Sequence, residues 1–111
     1  MKKDPEIFLQ HVFESINFIE SFSKTLTKEK FIKSRMRQNA IVRELEIIGE
    51  AVKNLSPEFM GKHKDVPWSD IARTRDKLIH HYFGVDLNEV WDIIKKDLPK
   101  LKKQIQEILK S

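Results

Sequence analysis

A chain of 111 residues is long enough for one domain around one hydrophobic core and too short for two. It contains no cysteine, which excludes disulfides, thiolate metal sites and cysteine nucleophiles. The formal net charge of +4 admits a polyanionic partner such as RNA without requiring one, because a lysine-rich helix face is commonly just solvated. The start, MKKDPEIFLQ, leads into no unbroken apolar stretch of signal-peptide or membrane-span length, so a cytoplasmic protein without membrane attachment is expected.

Three glycines, four prolines and apolar residues recurring three or four apart predict an almost wholly helical chain. Asp4 is the expected N-cap of the first helix, with Pro5 in its first turn and Phe8, Val12, Ile16 and Ile19 on one stripe. That helix should end in the polar stretch SKTLTKEK. A second helix is expected from near Thr27 to about Leu55. Ser56 and Pro57 then cap a short helix that Gly61 closes. After the linker KHKDVP, Pro67 opens a third helix running to Gly84 as its C-cap. Asp86 and Glu89 form a capping box for a fourth, through Val90, Trp91, Ile94 and Leu98, which Pro99 should bend or break before LKKQIQEILK resumes. Four amphipathic helices with short connections bury their apolar faces most simply as an up-and-down four-helix bundle, here with one short extra helix and a single domain over residues 1–111.

Within the third helix, Trp68, Ile71, Ala72, Leu78, Ile79, Tyr82 and Phe83 share one apolar arc, and Arg75 falls in its middle. An arginine cannot lose its charge and is costly to bury alone, so this position needs a carboxylate partner, water or another subunit. Glu44 and Glu50 of the second helix are the candidate partners. His80 lies on the flank with Asp76 one turn earlier, where the carboxylate can accept a hydrogen bond from the ring and raise its basicity. Adjacent His80 and His81 point about 100° apart and cannot easily chelate one metal, and His11 and His63 stand at no ligand spacing from them, so neither a metal nor a cofactor is expected. Glycine-rich phosphate loops and G-x-S-x-G are missing. The remaining chemistry suits a metal-independent phosphoryl reaction, with a histidine moving the proton and an arginine stabilising charge on the phosphate.

Arg75, His80 and Tyr82 spell R-x4-H-x-Y, with Asp76 following the arginine, and this resembles the signature of the HepT-like toxins of the HEPN superfamily. The flanks NAIVRELEIIGEAVKNLSPE (39–58), VPWSDIARTRDKLIHHYFGVD (66–86) and VWDIIKKDLPKL (90–101) are similar to that family's later helices in order and spacing. The resemblance implies an all-helical domain that forms a homodimer, with a ribonuclease site at the dimer cleft. It also implies the toxin role in a type VII-like toxin-antitoxin module, whose antitoxin is an MNT-type nucleotidyltransferase. By motif match Arg75 and His80 are the catalytic pair, Asp76 a supporting residue, and Tyr82 the acceptor of a silencing AMP. Arg73 also satisfies the family's looser spacing to His80; the acidic residue directly after Arg75 favours the latter. The alternative is a non-catalytic nucleotide- or RNA-binding partner subunit of the nucleotidyltransferase, with the antitoxin role.

Overall fold

Residues 4–80 and 86–110 are described in the computed structural model, Ile79 and His80 by their backbone alone. Helix α1 spans Pro5–Ser23, and the Asp4 carboxylate caps it by accepting from the Glu6 amide at 2.9 Å. Its inward stripe is Leu9, Val12, Ile16 and Ile19, all buried, while Phe8 lies half-buried at the edge. The Ser23 hydroxyl donates back to the Ile19 carbonyl at 2.6 Å, so this buried polar group is satisfied within the last turn.

The expected second helix is two helices, α2 at Lys28–Lys33 and α3 at Arg35–Lys53. The chain turns at Ser34, whose extended backbone (φ −116°, ψ 103°) closes one helix and whose hydroxyl caps the next by accepting from the Arg37 amide. The orphaned carbonyls of α2 are not left bare: the Gln38 amide donates to Phe31 at 3.0 Å and to Ile32 at 2.8 Å. The bend drops Phe31 into the core against Trp91, ring centroids 5.6 Å apart. The bundle therefore carries two short accessory helices rather than one, α2 and α4 (Pro57–Lys62).

Ser56 caps α4 as its sequence foretells, while Gly61 lies inside the last turn and His63 takes the C-cap. The segment after it is packed rather than free. Phe59 packs at a tilt against the rings of His63 and Trp68, Val66 is buried, and the Trp68 indole donates to the His63 carbonyl at 2.9 Å. Helix α5 spans Trp68–His80, with Pro67 just before its first residue; the expected Gly84 C-cap lies outside the described residues. Asp86 caps α6 (Leu87–Asp92), accepting from the amides of Asn88 and Glu89. Glu89 itself reaches Lys77 of α5 at 3.5 Å.

Pro99 does not break the last rod. A π-helical turn, Ile93–Asp97, joins α6 to α7 (Leu98–Lys110), with the Leu98 amide bonded five residues back to Ile93. The wider turn makes room for a ring that cannot donate an amide hydrogen and would crowd a regular α-turn. Helix α3 packs against both α1 and α5, and α1 also meets α7, so α3 is the central rod of an all-α fold. One apolar cluster runs through all of them, and the described residues contain no strand.

Candidate active site

Arg75 is placed by a close approach of α5 to α3. Gly49 of α3 faces it so tightly that a Cβ built on the glycine would lie 2.1 Å from the Arg75 Cβ and 3.3 Å from its Cα. A mid-helix glycine costs about 1 kcal/mol against alanine, and here the missing side chain is what admits α5 to α3. The contact swings the Arg75 guanidinium over the next residue of α3, where Nη2 meets Glu50 Oε2 at 2.9 Å and Nη1 meets Asp76 Oδ1 at 3.1 Å. Lys53, one turn further along α3, reaches the same Asp76 oxygen at 2.5 Å.

These four side chains form a neutral, half-open cluster bridging the two helices. Arg75 is 25% exposed, Glu50 58% and Asp76 42%. The Lys53 ammonium first, and then the Arg75 guanidinium, hold the Asp76 carboxyl below the usual carboxylate range, so it stays ionised at neutral pH. Arg75 thus has the carboxylate partner its place on an apolar arc requires, and of the two anticipated partners the structure selects Glu50. Its Nε is buried with no acceptor among the described residues.

Arg73 projects the other way, 70% exposed and 3.7 Å from Asp70, apart from the cluster. Asp76 is committed to Lys53 and Arg75 through Oδ1. Its expected hydrogen bond from the His80 ring involves a side chain outside the described residues, although the backbone places His80 at the end of α5. Tyr82 lies outside the described residues altogether. Gly49 and Lys53 escaped the sequence reading. A signal existed for the first: a lone glycine inside an apolar helical run usually has a packing reason.

Beside Arg75 the surface opens into a pocket of about 410 Å³ between α1 and α3, walled by Phe8, His11, Arg43, Glu46, Glu50 and Asn54. Among the described residues no group of three or more histidines and carboxylates is arranged to hold a metal ion, and no helix is long and apolar enough to cross a membrane. A fixed, part-exposed guanidinium next to an open pocket is a charge that a phosphate oxygen can approach, beside the bonds its two Nη atoms already make to Asp76 and Glu50.

The sequence matches the family described as Ribonuclease HepT-like over residues 12–108. It is 42% identical to the "Probable ribonuclease HepT" of Thermococcus cleftensis, the alignment covering 99% of this chain and 100% of that one. It is 49% identical to a "Putative RNase" of Caldanaerobacter subterraneus subsp. tengcongensis, over 96% of each chain. A Methanocaldococcus jannaschii protein named "Gamma-glutamylcyclotransferase and putative RNase" is also 49% identical over 98% of this chain, which spans only 49% of that longer protein. No solved structure matches.

Proposed function

This chain belongs to the HepT-like ribonuclease family, and we propose from that membership that it is a metal-independent endoribonuclease acting through Arg75 and His80 at the cleft of a homodimer. The observation that carries the reading is the seating of Arg75. A charged side chain in the middle of an apolar helix face is held by Glu50 and Asp76 at a half-open surface, with His80 five residues on along the same helix. On one ideal helix those two positions differ by about 140°, so a twofold partner's helix completes the groove.

In that groove the ribose 2′-oxygen attacks the adjacent phosphorus as its proton leaves, and the bond from phosphorus to the 5′-oxygen breaks. His80 moves a proton at one of those two oxygens, and Arg75 bears on the phosphate oxygens as negative charge builds there. The products are a 2′,3′-cyclic phosphate and a free 5′-hydroxyl. Excess EDTA should therefore leave cleavage intact, and the new ends should be cyclic phosphates; 3′-hydroxyl ends, or loss of activity on chelation, would contradict the mechanism.

The biological setting that fits is the cytoplasmic toxin of a type VII-like toxin-antitoxin pair, a single domain silenced by an MNT-type nucleotidyltransferase. AMP added to Tyr82, two residues beyond His80, would bring bulk and negative charge to a groove that must admit an RNA phosphate. Co-expression with such a transferase is expected to yield an adenylylated peptide containing Tyr82 and to abolish cleavage. Adducts that persist in Tyr82→Phe would sink this part.

A further inference from the structure

The pocket beside Arg75 has a chemistry of its own. Its lining on α3 repeats at helical spacing, Arg43, Glu46, Glu50 and Asn54, and α1 contributes Phe8 and His11. A volume of about 410 Å³ lies within the range, about 300–1,000 Å³, of pockets that hold small organic groups. Phe8 is half-buried and packed on the core, a fixed apolar wall. The charged groups balance, Arg43 and Arg75 against Glu46 and Glu50. Among the described residues Glu46, 24% exposed, meets a largely exposed Arg43 at 3.6 Å, and Glu50 is shared with Arg75. Asn54 gives an amide hydrogen to the Glu50 carbonyl at 2.9 Å, which leaves its own carbonyl oxygen as an acceptor.

Glu50 is taken up by Arg75, whereas Glu46 is met only at 3.6 Å by an arginine that is 70% exposed, which leaves Glu46 the better placed to accept from a donor carried on a ring lying along Phe8. Because Arg75 also lines the pocket, a nucleotide whose phosphate sits on Arg75 can turn its base into it. Resting on the ribonuclease reading of Arg75, we propose that this pocket is a base subsite for a nucleotide flanking the scissile phosphate. It selects bases bearing an exocyclic amino group over uracil, and Glu46 is the specificity-determining residue. Cytosine N4 can donate to a carboxylate where uracil presents the O4 acceptor, and an unstacked base against an aromatic wall is the usual form of RNA readout.

The test uses fluorescent oligo(C) and oligo(U) of equal length, binding to the full-length His80→Ala protein at one fixed ionic strength. A single charge-assisted hydrogen bond corresponds to roughly tenfold, so oligo(C) should bind about tenfold tighter than oligo(U), and Glu46→Ala should bring the ratio close to one. Glu46→Gln, which keeps size and removes charge, should lie between and guards against a folding defect in the alanine variant. Equal affinity for the two oligomers in the parent, no binding of either, or a ratio untouched in Glu46→Ala and Glu46→Gln would overturn the subsite. Failure of the ribonuclease reading looks different, as absent cleavage by the wild-type protein, and the binding ratio does not depend on it.

Discussion

Arg75→Ala should lower the rate of RNA cleavage by roughly two to three orders of magnitude, the usual loss when a preorganised donor to a developing anion is removed. The same change should cost the fold only about 1 kcal/mol. The pair with Glu50 is formed at a half-exposed carboxylate, where ion pairs contribute roughly 0 to 1 kcal/mol, and Asp76 keeps Lys53 as a counter-charge when the guanidinium is gone. Some stem packing against Gly49 is lost as well. Arg75→Lys retains the charge but not the planar fork, so its rate should fall between the two. Initial rates beside urea unfolding midpoints separate the contributions. A variant several kcal/mol less stable whose residual folded fraction cleaves at the wild-type rate would make Arg75 a structural residue.

Gly49→Ala should destabilise the protein by about 1–3 kcal/mol, the ordinary cost of overpacking, although alanine is the better helix former by about 1 kcal/mol. The sign follows from which atoms the new methyl meets. It would lie 2.1 Å from Arg75 Cβ, 2.8 Å from Cγ and 3.3 Å from Cα, and the first and last of these move only with the α5 backbone. Helix α5 must retreat, and Arg75 retreats with it from Glu50, so cleavage should fall along with stability. Gly61 provides the control, since a Cβ there meets nothing within 4 Å, and Gly61→Ala should be neutral or stabilising by up to about 1 kcal/mol. Urea midpoints for the two variants check the contrast; equal midpoints would show that the helix contact yields without cost.

Local chemistry made much of this architecture readable. Asp4, Ser56 and Asp86 carry their helix starts in their own side chains, and the same groups accept the amide hydrogens in the folded chain. The break at Ser34 was hidden, because the apolar period continues through it. What stops the helix is a hydroxyl capping Arg37 together with a glutamine reaching back to two carbonyls, neither of which alters hydropathy. Pro99 misled in the opposite direction, since a π-turn absorbs a residue that sequence rules treat as a breaker. At the site, the oddity of Arg75 and the availability of Glu50 could be read from helical phase alone. The bridge from Lys53 to Asp76 could not, because it depends on how deeply α5 settles on α3, and that depth is governed by a side chain Gly49 does not have.

The most direct measurement is RNA cleavage in excess EDTA by purified protein, comparing wild type with folded His80→Ala after mass spectrometry has shown Tyr82 to be unmodified. The wild type should cleave and the variant should lose at least about a hundredfold, the lower range for removing a general acid or base. Equal cleavage by His80→Ala, or no cleavage of any RNA class by folded wild-type protein, would contradict the ribonuclease reading, and the second result would leave a phosphate-binding partner subunit in its place.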